Sequence, residues 1–127
     1  MKMKLLLVED EAITAMSMRK DLELMGYEVS DPIGTGEEAI RKALIEHPSV
    51  ILMDINIIGD MDGIETVEKI HDLVQIPVIY MTGYSNQEIK DRAIKTGPLA
   101  YLEKPVNVRE IRHILELTGA HDQNGGN

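Results

Sequence analysis

The feature that most constrains the fold is a short apolar segment, residues 50–53, that ends on the acidic residue Asp54. The segment is Val-Ile-Leu-Met, follows Pro48 and precedes a glycine-containing loop at residues 59–63. Such a run predicts a β-strand that is buried on both faces. Asp54 then lies at the carboxyl end of the strand, where ligand sites form in open α/β sheets. Taken alone, Asp54 fits either a reactive carboxylate or a loop aspartate that only terminates the strand.

Strand and helix patterns alternate five times along the chain, which predicts a parallel sheet with helices on both faces. The expected strands are residues 4–8, 27–30, 50–54, 77–82 and 99–103. Three cues mark helix ends: Gly26 and Gly119 as stops, and Asn107 as an N-cap. Motifs beginning at Thr35 and Ser85 predict two capping boxes.

Apolar residues recur at helical spacing between the strands, so each helix is expected to bury one face. The expected buried residues include Ala15, Met18, Leu22 and Met25, then Ala39, Ile40, Ala43 and Leu44, then Ile64, Val67 and Ile70, and finally Val108, Ile111 and Leu115. The 127 residues fit one domain, and a second domain is not expected.

Charge and composition exclude several classes of function. The formal net charge is −9 and no stretch is strongly basic, so direct contact with DNA or RNA is not expected. The absence of cysteine rules out thiolate metal sites and favours a reducing, cytoplasmic location. The amino-terminal apolar run is too short for a signal peptide and ends at three acids, residues 9–11. No segment is long enough to span a bilayer, so a membrane partner is not expected.

Four of the predicted strands end on chemically distinctive side chains: Glu9 with Asp10, then Asp54, Thr82 and Lys104. In a parallel sheet these groups converge on one edge. Crowded carboxylates raise one another's pKa unless a cation lies among them, and an all-oxygen cluster suits Mg²⁺. The sequence therefore predicts a magnesium site where Asp54 can attack phosphorus, with Thr82 and Lys104 donating to the phosphoryl oxygens.

Each of these residues also has a simpler interpretation. The acidic pair can cap the first helix, Thr82 can be a strand-end turn residue, and Lys104 can be a solvated loop residue. Tyr101, on the last strand, can be an aromatic on a half-buried surface. The histidines show no metal-ligand spacing and are interpreted as surface or helix-end residues: His47, His71, His113 and His121. If every simpler interpretation held, unrelated polar residues would end four strands by coincidence. One shared site is the simpler explanation.

Taken together, these residues resemble the receiver domain of two-component response regulators, including the chemotaxis receiver. Glu9-Asp10 is similar to the acidic pair of that family, Asp54 to its phosphoacceptor and Thr82 to its switch hydroxyl. Tyr101 resembles its switch aromatic, and Lys104-Pro105 its lysine and following proline. Met-Asp-Gly at residues 61–63 also matches a loop that the family commonly carries.

The resemblance covers residues 4–118 and implies a flavodoxin-like, doubly wound five-stranded parallel sheet of order 2-1-3-4-5. It places the receiver domain at residues 1–119 and leaves residues 120–127 as a disordered tail. It also implies a cis peptide bond before Pro105. No output domain follows Thr118, so the chain is expected to be a stand-alone receiver or one cut from a larger protein.

The family implies a signalling mechanism rather than an enzyme that acts on other substrates. A phosphohistidine on a histidine kinase or phosphotransfer protein donates its phosphoryl group to Asp54, and the domain catalyses both this transfer and its own dephosphorylation. Mg²⁺ is held by Glu9, Asp10, Asp54 and the main-chain carbonyl of Asn56. Thr82 moves toward the phosphoryl group and Tyr101 turns inward, which changes the surface of the fourth helix, last strand and last helix. The protein target, and whether phosphorylation drives homodimer formation, stay open.

The sequence departs from the family pattern at two positions. Gly83 stands where the family often has alanine, which can change the lifetime of the phosphate, and Val106 stands where phenylalanine is usual, which can change the packing of the last helix.

Three rival functions are disfavoured. A Mg²⁺-dependent phosphatase is disfavoured because Asn56 occupies the place of its second aspartate. A flavodoxin-like cofactor binder is disfavoured because no glycine-rich loop follows the first strand. A receiver that is never phosphorylated is disfavoured by the intact acids, Thr82 and Lys104.

Overall fold

Five strands and five helices alternate along the part of the chain that the computed structural model describes, residues 2–118. The strands are β1 (Lys4–Val8), β2 (Glu28–Val29), β3 (Val50–Asp54), β4 (Val78–Thr82) and β5 (Ala100–Glu103). The helices are α1 (Ala12–Leu24), α2 (Gly36–Glu46), α3 (Gly63–His71), α4 (Gln87–Ile94) and α5 (Val108–Thr118). Within residues 2–118, no helix combines the length and the apolar character needed to cross a lipid bilayer. The expected stop at Gly119, His121 and the tail at residues 120–127 lie outside the described residues.

All five strands are parallel and lie in the order β2-β1-β3-β4-β5, which confirms the predicted sheet. The register pairs Val8 with Met53, Asp54 with Met81, and Thr82 with Glu103. The carboxyl ends of β1, β3, β4 and β5 therefore lie side by side at one edge of the sheet. Chain topology, rather than closeness in sequence, brings the predicted site residues to that edge.

The core has two halves, one on each face of the sheet. One half packs alternate residues of β1, such as Leu5 and Leu7, against α1 and α5. The other half packs Leu6 and Val8 against apolar residues of α2, α3 and α4. Residues 50–53 of β3 are 0% exposed, as expected for a central strand covered on both faces. Helices on both faces of the sheet are confirmed.

The structure corrects three local predictions. Strand β2 is shorter than expected because the Tyr27 amide donates to the Leu22 carbonyl and so completes the end of α1. Leu44 is 38% exposed, because Gly36, Ala39 and Ala43 form the buried side of α2 and Leu44 lies outside it. Ser85 does not cap α4, because the cap is Asn86, whose side chain accepts from the Ile89 amide at 2.8 Å.

Other cues are confirmed at the helix ends. Thr35 caps α2 by accepting from the Glu38 amide at 3.2 Å, which is one half of the predicted capping box, while its hydroxyl lies 3.3 Å from the Glu38 carboxylate. Asn107 accepts from the Arg109 amide at 2.9 Å. Gly26 follows α1 with a φ of +101°, the left-handed conformation that glycine adopts without steric cost. His47 occupies the C-cap of α2, in agreement with its interpretation as a helix-end residue.

Candidate functional site

Lys104 joins the ends of β1 and β3 through two short ion pairs. Its Nζ lies 2.7 Å from Glu9 Oε1 and 3.0 Å from Asp54 Oδ2. Carboxylate oxygens of Glu9, Asp10 and Asp54 all lie within 4.8 Å of one another. The structure thus brings together the three predicted acids and the predicted lysine, although 95 residues of sequence separate Glu9 from Lys104. The Lys104–Pro105 peptide bond is cis, as the resemblance implied.

Burial makes this cluster electrostatically unusual. Glu9 is 3% exposed and Asp54 is 2% exposed, so neither carboxylate is well hydrated. Burial raises the pKa of Glu9, and the hydrogen bonds from Lys104 and the Glu11 amide offset only part of that rise. For Lys104, burial alone lowers the pKa, but the bonds and charges of Glu9 and Asp54 together outweigh it and raise the pKa. The lysine is therefore held as a cation between two acids.

Replacing Lys104 with methionine is expected to destabilise the protein by about 1–3 kcal/mol at neutral pH, because Glu9 and Asp54 lose their counter-charge. The loss is smaller than for a fully buried pair, since the Lys104 side chain is 24% exposed. It should shrink as the pH falls, because burial raises the pKa of Glu9 above the ordinary glutamate value, loss of the lysine raises it further, and a protonated Glu9 no longer needs a counter-charge. Urea unfolding at several pH values measures this dependence.

Lys4→Met is the matched control for that variant. Lys4 pairs with Glu28 at 3.9 Å, with 34% of the Lys4 side chain and 57% of the Glu28 side chain exposed. Exposed pairs of this kind contribute only about 0.2–1 kcal/mol. Equal losses of stability in the Lys4 and Lys104 variants would show that Lys104 does not compensate a buried charge.

Glu9 contacts both the residue before α1 and the acidic cluster. Its Oε2 accepts from the amide of Glu11, the residue that precedes α1, at 3.1 Å. Its other oxygen accepts from Lys104. The side chain therefore steadies the start of α1 while one oxygen faces the acidic cluster.

Asp54 is fixed by its own loop. The Asn56 amide donates to Asp54 Oδ1 at 2.9 Å, and Lys104 donates to the other oxygen. Just beyond, the Gly63 amide donates to the Ile55 carbonyl at 2.8 Å. A Cβ at Gly63 would lie 2.3 Å from the Asp54 carbonyl oxygen, so only glycine allows α3 to begin this close to β3. Sequence reasoning missed this role, for which the Asp-Gly pair at residues 62–63 was the available signal.

Thr82 is buried at the end of β4, and its hydroxyl is engaged away from the acids. It lies 3.0 Å from Asn56 Oδ1 and 2.5 Å from the Tyr84 carbonyl oxygen, and it accepts from the Tyr84 amide at 3.1 Å. A hydroxyl has one proton, so it donates to only one of the two oxygens at a time. Among the hydrogen bonds of residues 2–118, none joins Thr82 to Asp54. Thr82 is therefore next to the acidic cluster but not part of it.

Tyr101 reaches the same loop from β5. Its hydroxyl lies 2.6 Å from Ser85 Oγ, and the Lys90 ammonium lies 5.9 Å from its ring centroid. The ring is half-buried. Ser85, expected as a helix cap, instead ties Tyr101 to the β4–α4 loop, a contact that no local sequence pattern signals.

The site can hold a hard cation and present a carboxylate to an electrophile. Its donors are all oxygens, which suits Mg²⁺ rather than a softer metal.

A match to a known protein family shows where such a site occurs. The model of the response regulator receiver domain matches residues 5–116. The chain belongs to the response regulator receiver family. Phosphorylation and Mg²⁺ binding are typical of receivers, which act in two-component signalling with histidine kinases or phosphotransfer proteins.

Solved receivers share both the sequence pattern and the fold. A CheY-like receiver domain protein from Methanospirillum hungatei is 31% identical with a TM-score of 0.87, over 99% of this chain and 100% of that one. The receiver domain of a modulated diguanylate cyclase from Desulfovibrio desulfuricans is 33% identical with a TM-score of 0.85, over 92% and 93% of the two chains. These matches confirm the predicted family and fold.

Among curated relatives, the transcriptional regulatory protein PdtaR of Mycobacterium tuberculosis is 31% identical over 114 residues. The match covers 90% of this chain but 55% of PdtaR. This receiver thus spans about half the length of that relative. The individual site roles and the domain bounds at residues 1–119 stay predictions.

Proposed function

We propose that this receiver is a phosphorylation-dependent switch in which Asp54 accepts a phosphoryl group from a phosphohistidine of a histidine kinase or phosphotransfer protein. The observation that carries the proposal is the Lys104 bridge between Glu9 and Asp54, two carboxylates that are almost fully buried. Burying two carboxylates costs free energy even when a lysine pairs with them, which favours a functional over a purely structural reason for the arrangement. In this proposal the receiver acts in the cytoplasm, and its target is a protein rather than nucleic acid.

The acidic cluster fits Mg²⁺ by its chemistry and spacing. Glu9, Asp10 and Asp54 would hold the ion, together with the main-chain carbonyl of Asn56. When bound, Mg²⁺ supplies positive charge that offsets the charge of phosphoryl oxygens. Asp10 is the more accessible of the three acids, since it is only partly buried.

The chain's own residues then account for the transfer. A carboxylate oxygen of Asp54 attacks phosphorus while the P–N bond to the donor histidine breaks and the imidazole leaves with the bonding electron pair. Lys104, which lies beside Asp54 in the unphosphorylated state, is in reach to donate to a phosphoryl oxygen. Attack of water at phosphorus later releases inorganic phosphate and restores the carboxylate.

Switching follows from bonds that must be exchanged. For Thr82 to donate to a phosphoryl oxygen, it must release Asn56 Oδ1 and the Tyr84 carbonyl. For Tyr101 to turn inward, it must release Ser85. Both changes act on the loop before α4, so the surface formed by α4, β5 and α5 would carry the signal to a protein target, with a phosphorylation-dependent homodimer as one form of output.

Phosphorylation of the purified protein tests the proposal. Incubation with a small-molecule phosphodonor and Mg²⁺ should add one phosphoryl group, detected by intact mass spectrometry. Addition of EDTA should abolish the reaction. Absence of the adduct with several donors at millimolar Mg²⁺ would refute the proposed function.

Mg²⁺ should also raise the Tm, because it binds the folded cluster and not the unfolded chain. At a concentration ten times the Kd, the expected stabilisation is about 1.4 kcal/mol. Calorimetry with and without EDTA measures it. Asp10→Asn should reduce the shift, whereas Asp60→Asn, at an exposed loop residue, should keep it. Equal shifts in both variants would mean that Asp10 is not a ligand.

A further inference from the structure

An ion pair links the loop after Asp54 to α4, and it does not involve Thr82. Arg92 Nη2 lies 3.1 Å from Asp62 Oδ2, across 30 residues of sequence. Asp62 is the N-cap of α3, and Arg92 lies in the last turn of α4. This Asp62–Arg92 pair joins the loop that follows the phosphoacceptor strand to the helix that is proposed to move.

The α3 end of the pair is rigidly held. Asp62 Oδ1 accepts from the Glu65 amide at 2.8 Å, and the Asp62 amide donates to the Glu65 carboxylate at 3.0 Å. The Asp62 carbonyl accepts from the amide of Thr66 at 3.0 Å and from its hydroxyl at 2.8 Å. The next residue, Gly63, packs on the Asp54 backbone. Asp62 is thus a fixed point with respect to the phosphoacceptor.

The α4 end has little apolar packing, since only Ala93 and the partly buried Ile89 of this helix contact the core. Of the eight residues of α4, only Ala93 is buried. The turn after α4 is anchored by Thr96, whose hydroxyl lies 2.8 Å from that of Tyr80, and Ser85 before α4 is bonded to Tyr101. With so little apolar burial, single polar contacts can decide where α4 lies.

We propose that the Asp62–Arg92 pair is a positioning contact that holds α4 in its unphosphorylated place and so opposes switching; this rests on the proposed role of Asp54. The pair is present while Thr82 is bonded to Asn56 and Tyr84, and Lys104 to Asp54. Movement of the loop after Thr82 shifts the start of α4, and a displacement of an ångström or two breaks a charged hydrogen bond. A contact that exists only in the unphosphorylated state stabilises that state. It therefore lowers the apparent affinity for any ligand that binds the switched state.

The test measures the affinity for beryllofluoride, a phosphoryl mimic, by calorimetry with saturating Mg²⁺. Arg92→Gln should bind it about two- to five-fold more tightly, the range set by partly exposed ion pairs. Arg92→Lys, which keeps the charge, should restore most of the wild-type affinity. Asp62→Asn keeps the N-cap acceptor and should give the same gain as Arg92→Gln, and the double variant should add nothing further.

Arg41→Gln is the matched control, because Arg41 is exposed on α2 and forms no ion pair within residues 2–118. Its affinity should equal that of the wild type. Unchanged or weaker binding by Arg92→Gln, or an equal gain in Arg41→Gln, would overturn the inference while leaving the proposed function intact. If the wild type itself fails to bind beryllofluoride, the proposed function falls and the inference falls with it.

Discussion

An Asp54→Asn variant is expected to take up no phosphoryl group from a small-molecule donor, with labelling at least about 100-fold below that of the wild type. The amide oxygen of asparagine is a far weaker nucleophile than a carboxylate. The fold should survive, because asparagine has nearly the same shape and can still accept from the Asn56 amide. Lys104 also keeps its bond to Glu9. Mass spectrometry gives the labelling, and circular dichroism verifies the fold.

Asp60→Asn controls for the loss of one acid nearby in the sequence. Asp60 is exposed and lies six residues after Asp54, so its variant should label like the wild type. Full labelling of Asp54→Asn would mean that another residue accepts the phosphoryl group. Peptide mapping of the labelled protein would then identify that residue.

The central strands could be predicted closely because burial on both faces leaves a simple signal. Strand β1 has the expected bounds, Lys4–Val8, and β3 ends at Asp54 as expected. The prediction for the edge strand β2 was too long, because an edge strand carries a weaker apolar pattern. The first residue of the predicted strand, Tyr27, instead donates its amide to the Leu22 carbonyl at the end of α1. Tertiary hydrogen bonds of this kind have no local signature.

The meeting of the acids and Lys104 was also predictable, because parallel topology alone brings carboxyl ends of strands to one edge. The sequence does not predict which side chains at that edge pair with one another. That Lys104 bridges Glu9 and Asp54, and that Ser85 bonds to Tyr101, depends on side-chain placement across elements. The Asp62–Arg92 pair is of the same kind, since both residues look like ordinary helix-end charges in the sequence.

Gly63→Ala is expected to destabilise the fold by about 1–3 kcal/mol, or more, although alanine favours helices over glycine by about 1 kcal/mol. A steric clash determines that the change in stability is a loss. The added Cβ would lie 2.3 Å from the Asp54 carbonyl oxygen and 2.8 Å from Ile55 Cα, and both of these are backbone atoms that no rotamer change can move aside. Urea unfolding measures the loss.

The same substitution at Gly83 separates crowding from the simple loss of a glycine. A Cβ there would meet only Lys104 Cδ at 3.8 Å, an ordinary contact, so Gly83→Ala should change the stability by less than about 0.5 kcal/mol.

The Gly63→Ala variant should also be phosphorylated more slowly. Relief of the clash at residue 63 requires α3 to move away from β3, and this movement should displace Asp54 relative to Lys104. A Gly63→Ala variant as stable and as readily phosphorylated as the wild type would show that α3 does not fix the position of Asp54.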